Sequence, residues 1–379
     1  MITPFFNGKR LREARRFRQL SMPQLAERLG VSKQMVFKYE HGEAQPSPKV
    51  YQKILIELDF PIAFFQKKDT FGYSDMGTFY RSRLSSTQSE KKPSELLKKY
   101  LAVLTNFFET YVDFPKLDDI ELSDDPVEAA AELRKVWNLE MKPISSMVNL
   151  LEIHGFPIAF INSNSEKVDA FGSQIKVNDT KYYCMLVDER NNTFFRQQFS
   201  LAHELGHWAL HSKSVNPQEL DTLEYKEIED QANLFAACFL LPDKEFIRTI
   251  DPSKKDDLDM YLYLKSYWKV SVASMVFRAR NLGVIDSEQY IRIQKRMSAR
   301  GWRKVEPFDD VTPIRRPVLL KQAYRLISEH RILKNNSIND TLSINYGVEL
   351  PNDILAELIN ISIDELIENE GGRIIKIKR

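Results

Sequence analysis

Arg196-Gln-Gln-Phe-Ser-Leu-Ala-His203-Glu204-Leu-Gly-His207 is the stretch that decides how this 379-residue chain is read. His203 and His207 stand four apart, so on an α-helix both imidazoles leave one face about a turn apart. Leu201, Ala202, Leu205, Ala209 and Leu210 give that helix an apolar back, and Gly206 is expected to leave room beside the imidazoles. Two neutral imidazoles in this spacing can hold Zn²⁺, with Mn²⁺ as an alternative ion. The metal acidifies a bound water, and Glu204 is placed to take the proton and pass it to a leaving amine.

A catalytic zinc needs a third protein ligand and one open position. His211 lies one turn beyond His207, too far for comfortable coordination, and is expected at the surface or in support of the ligands. A second helix is predicted over 224–241, where Glu227, Glu229 and Asp230 precede Ala232-Asn-Leu-Phe-Ala-Ala-Cys-Phe-Leu-Leu-Pro242. Ala232, Phe235, Ala236 and Phe239 must face the core, and Glu229 lies on the flank leading into that face. Glu229 is therefore the expected third ligand, steadied by Asn233. Glu227 is the alternative, and Asp230 falls on a solvated face.

These two segments together, 196–207 and 229–242, resemble the ImmA/IrrE metallopeptidase family. The likeness extends over about 128–300, with Glu128-Ala-Ala-Ala-Glu-Leu-Arg-Lys-Val-Trp137 ahead of the site. It implies a gluzincin-like metal centre, with two histidines and a downstream glutamate as ligands and the motif glutamate, Glu204, as base. It also implies a class of substrate, because family members cleave helix-turn-helix repressors and so relieve repression after stress or in mobile elements.

The N-terminal end carries a different signal. Through Ile56 there are eleven Lys or Arg against four Glu, in a chain whose net charge is only +1. Such asymmetry marks a nucleic-acid candidate. A first helix is predicted over 9–18. Ser21 caps a second that Gly30 ends, and Ser32 caps a third. Two short helices joined by a glycine-containing turn make a helix-turn-helix. The stretch 8–60, with Leu25-Ala-Glu-Arg-Leu-Gly-Val-Ser32 and Tyr39-Glu-His-Gly42, resembles the lambda-repressor-like (XRE) family. That resemblance implies double-stranded DNA as partner, Lys33, Gln34 and Lys38 as base readers, and Ser32 at the phosphate-facing start of the reading helix. One departure is Met22, where the family usually has a phosphate-contacting Gln.

Residues 66–92 are polar and turn-rich and read as a connection. Residues 93–113 return to helical periodicity through Leu96, Leu97, Tyr100, Leu101, Leu104, Phe107 and Phe108. Asp125-Pro126 opens another helix. Strands are predicted at 157–162, 170–177 and 182–187, with a turn at Asn191-Asn192. The segment 265–285 has a helix-turn-helix cadence with Arg278 and Arg280 on it, and is expected to pack against the peptidase. The clearest helices of the tail are 320–332 and 353–368.

The expected fold is multidomain and mainly α with a small β-sheet. An all-α helix-turn-helix domain (1–66) is followed by a linker and helical connection (67–125), an α/β gluzincin-like metallopeptidase domain (126–304) and a C-terminal helical unit (305–379). Cys184 and Cys238 sit among apolar residues, as buried thiols do in a reducing compartment. No apolar run approaches the ~20 residues that span a bilayer, and the first residues lack a signal-peptide core. The chain is expected in the cytoplasm, as a homodimer matching two half-sites. The leading expectation is a DNA-binding transcriptional regulator whose zinc endopeptidase cuts a protein partner, a repressor or itself, upon a signal. The alternative is a non-catalytic or antitoxin-like regulator whose metal domain senses a ligand or holds a partner.

Overall fold

A computed structural model describes residues 5–79, 88–162, 170–190, 193–212, 220–333 and 336–369. The first five helices are α1 (Gly8–Phe17), α2 (Met22–Leu29), α3 (Lys33–His41), α4 (Pro48–Leu58) and α5 (Ile62–Gln66). The local signals act as read. Ser21 closes a capping box with Gln24, Ser32 caps α3, and Gly30 and Gly42 end α2 and α3 in the left-handed conformation that favours glycine.

A strand, β1 (Tyr73–Phe79), lies inside the segment read as a connection, and a long helix, α6 (Gln88–Glu109), follows it. β1 pairs antiparallel with a later strand through a bulge between Asp75 and Thr78. Its sequence hides the pairing because Asp75, an exposed acidic residue, stands opposite the buried Ile175 of the neighbouring strand. There Asp75 accepts from Ser173 at 2.7 Å and is paired with Lys98 of α6. Backbone bonding to a neighbour, which no local pattern encodes, makes this an edge strand.

Then come α7 (Pro126–Val136), α8 (Met147–Ile153), β2 (Ile158–Ile161), β3 (Ala170–Val177) and β4 (Thr180–Asp188). The sheet order is β1-β3-β4-β2, with β2 parallel to β4 and the other pairs antiparallel. The Asn191-Asn192 turn lies outside the described residues. Next are α9 (Phe194–His211), α10 (Thr222–Leu240), α11 (Asp243–Thr249), α12 (Leu258–Trp268), α13 (Val272–Asn281) and α14 (Ser287–Ala299). The tail holds α15 (Leu319–Glu329), α16 (Ile338–Asn345), α17 (Asn352–Ile359) and α18 (Ile363–Asn369). The helix expected over 353–368 is broken, because Asn360 turns to φ +61° and its side-chain amide donates to the Pro317 carbonyl.

The sheet separates two apolar cores. Alternation along β4 sends Tyr182, Cys184 and Leu186 to one and Tyr183, Met185 and Val187 to the other. The first core joins α1–α5, α6 and α15–α18. The second joins α7, α8, α9, α10 and α12–α14. Ala102 and Val103 are as buried as the predicted stripe of α6, so its stretch 96–105 is enclosed on all sides. Cys184 and Cys238 are free thiols in different cores. Among the described residues no helix is long and apolar enough to cross a membrane.

Candidate metal centre and nucleic-acid face

Thr193 caps α9 and Asp221 closes a capping box on α10, fixing the start of each helix. The two helices cross at Gly206. A Cβ there would lie 3.1 Å from the Ala232 carbonyl oxygen and from the Phe235 ring. The glycine therefore lets α10 approach α9, rather than clearing space beside the imidazoles as the sequence suggested.

At that crossing His203, His207 and Glu229 converge. The two imidazole Nε2 atoms are 3.0 Å apart, and the Glu229 carboxylate lies 3.5 Å from His203 Nε2 and 3.4 Å from His207 Nε2. A tetrahedral zinc with bonds of about 2.0–2.1 Å has donor-to-donor edges of about 3.3 Å, so this triangle has the size and the N, N, O donor set of such a site. Burial, partly offset by Glu229, pushes the His207 imidazole down to about 3, which keeps it in the neutral form a ligand requires. Glu204 is buried on the same helix at 1 % exposure, while Glu227 and Asp230 are exposed and lie outside the cluster.

The surroundings differ from expectation in one place and choose between two expected places in another. Asn233 does not steady Glu229. Its Oδ1 lies 3.1 Å from His203 Nδ1 and accepts that ring's N–H, which leaves His203 Nε2 as the bare nitrogen. His211 takes the supporting one of its two expected places, 3 % exposed between His207 and Gln231 and not at the surface. Sequence reasoning also missed Tyr183 of β4. This phenol is fully buried, and burial followed by the charge of Glu204 raises it well above its ordinary value. No short motif could have found it, because it comes from a strand opposite α9.

A cavity of about 610 Å³ opens between α9, α10 and α13, lined by Phe199, Ser200, Asn233, Leu234, Ala273 and Phe277 among others. Arg278 takes no part in a surface. It is buried against Asp243 and the Leu241 carbonyl, while Arg280 lies over the Tyr290 ring.

On the N-terminal unit Ser32, Lys33, Gln34 and Lys38 are all exposed along α3, with Ser32 accepting from the Met35 amide. Phe37, 43 % exposed, stacks on His41 between them. Part of the basic excess does not face solvent. Arg15 is buried in an ion pair with Glu40, Arg10 is buried beside Asp69, and Lys53 donates to the Leu29 carbonyl at the end of α2. Met22 is partly buried against the first core, so apolar packing occupies the place of a phosphate contact.

A family model for the IrrE N-terminal-like domain of peptidase M78 matches residues 151–280, and a helix-turn-helix model matches residues 11–65. A comparison with curated proteins gives no match. The first span contains His203, His207 and Glu229, and the second contains α3. The chain thus carries, in order, a helix-turn-helix domain of the XRE-like type and an IrrE-like peptidase domain.

Proposed function

We propose that this chain is a DNA-binding transcriptional regulator whose second domain is a zinc-dependent endopeptidase acting on a protein partner. The observation that carries the proposal is the buried triangle of two imidazole nitrogens and one carboxylate, with Glu204 beside it on α9. His203, His207 and Glu229 are the proposed ligands. Bound zinc would supply a Lewis acid that polarises the scissile carbonyl and acidifies water. Glu204 then removes a proton from the attacking water and returns it to the leaving amine. Asn233 fixes the His203 ring, and the cavity beside it offers space for a substrate side chain next to the cleaved bond.

The proposed target is a second helix-turn-helix repressor or another copy of this chain, met on DNA. Lys33, Gln34 and Lys38, with Ser32 at the helix start, are the proposed contacts with duplex DNA. A homodimer on two half-sites follows the same geometry.

The decisive assay incubates zinc-loaded protein with purified repressors and with itself, with Glu204→Gln as control, and maps new termini by mass spectrometry. Termini that appear only with intact Glu204 support the enzyme. An unchanged protein set under every inducing condition refutes it. For the DNA face, Lys33→Ala with Gln34→Ala should level affinity between a selected duplex and scrambled competitors, and an unchanged footprint would remove these residues from readout.

A further inference from the structure

His211 ends α9 one turn beyond His207, and nothing in the proposed chemistry uses it. Its ring is nonetheless 3 % exposed and has a nitrogen contact on each side. Nε2 lies 2.9 Å from the Gln231 side-chain carbonyl oxygen, and Nδ1 lies 3.1 Å from Nδ1 of His207. A carbonyl oxygen can only accept, so the hydrogen of the first contact sits on His211 Nε2. A neutral imidazole carries one N–H, which makes His211 Nδ1 an acceptor. The hydrogen of the second contact must then sit on His207 Nδ1. His207 Nε2 is left with its lone pair directed at the triangle shared with His203 Nε2 and Glu229.

We infer that His211 and Gln231 form a tautomer relay that positions His207 as a metal ligand, so that His211 is a positioning residue of the metal centre rather than a ligand. The inference rests on the proposed metal centre. It adds that the ring orientation of His207 is set by a neighbouring neutral imidazole, whose own proton is placed by an amide on α10. His203 reaches the same state by another route, since Asn233 on α10 accepts from its Nδ1 directly. Both ligand tautomers are therefore dictated by α10, the helix that also carries Glu229. Docking of α10 on α9 brings in the third donor and aims the other two in one step. Partners of this kind change metal affinity about 10–100-fold when removed.

The test measures zinc affinity by chelator competition in the full-length protein. It compares wild type with His211→Leu, which keeps bulk without an acceptor, and His211→Gln, which restores a carbonyl acceptor. His211→Leu should weaken zinc binding by about 10–100-fold, and His211→Gln should recover most of the loss. Equal affinity in wild type and a folded His211→Leu protein overturns the relay. Should His211→Leu not fold, nitrogen-15 spectra of wild-type imidazoles decide the matter. A scalar coupling between Nδ1 of His207 and Nδ1 of His211, with the proton on His207, is expected, and a His207 protonated at Nε2 in metal-free protein overturns the relay. A wild-type protein that binds no zinc refutes the underlying metal centre instead, so the two failures are distinct.

Discussion

Glu229 and Glu227 differ by two positions and by everything that matters to a metal. The first meets the imidazole edges at 3.4–3.5 Å, and the second is exposed. Glu229→Ala should release zinc from purified protein while Glu227→Ala retains it, as read by elemental analysis after dialysis. Equal retention would take Glu229 out of the centre. His207 makes a second prediction in metal-free protein, where burial carries its folded pKa to about 3 from an ordinary 6.5. Between those values the unfolded chain binds more protons than the folded one, so stability rises with pH across the window and is lost on acidification. With chelator present, the melting temperature should fall between about pH 7 and about pH 5, and His207→Gln should fall less steeply. Parallel slopes would show that the imidazole is not held neutral by burial.

Among the elements, the contact of α9 with α10 makes the site, and Gly206 sets its closeness. Adding a methyl there meets backbone of Ala232 as well as the Phe235 ring, so the facing backbone of α10 must give slightly. Gly206→Ala should cost about 1–3 kcal/mol by overpacking and weaken zinc binding more than a distant change of equal cost. Denaturant unfolding with and without zinc separates the two effects. If stability falls while zinc affinity holds, the helix spacing is not what assembles the ligands. The recognition helix α3 is an element of the opposite kind. Capped by Ser32 and ended by Gly42, it owes its boundaries to its own residues and packs through Val36, Tyr39 and Glu40.

Across the whole molecule, the tail ties the two cores together. Val318 does not cap α15. Glu152 of α8 does so from the other core, accepting from the Val318 and Leu319 amides at 2.8–3.1 Å. Its burial raises the carboxyl to about 7 despite those two bonds. The helix-turn-helix domain is likewise fastened. Arg10 donates to the Gly347 carbonyl of the tail at 3.0 Å and pairs with Asp69, which Lys99 of α6 also engages. Glu152→Ala should destabilise the chain by about 0.5–2 kcal/mol, the cost of removing the acceptor of two amides at a helix start. It should also increase amide exchange in residues 318–329, which an effect confined to α8 would leave protected.

How much of this was legible in the residues depends on range. The His203-Glu204-His207 spacing, the caps at Ser21, Ser32 and Asp125, and the apolar periodicity of α6 and α10 are short-range signals. Helical geometry converts such signals into structure within one or two turns, so the sequence by itself determined the helix-turn-helix, the metal-motif helix and the mainly α character with a small sheet. It did not determine that β1 joins the sheet, that Asn233 serves His203 and not Glu229, that His211 is buried against Gln231, or that Glu152 caps a helix more than 160 residues away. Those outcomes depend on which surfaces meet after folding. A buried polar group takes whichever partner the packing brings within about 3 Å, and no local pattern around Asp75, His211 or Glu152 encodes that partner. The paired imidazoles were visible as a motif, but only the crossing of α10 over Gly206 decided what stands around them.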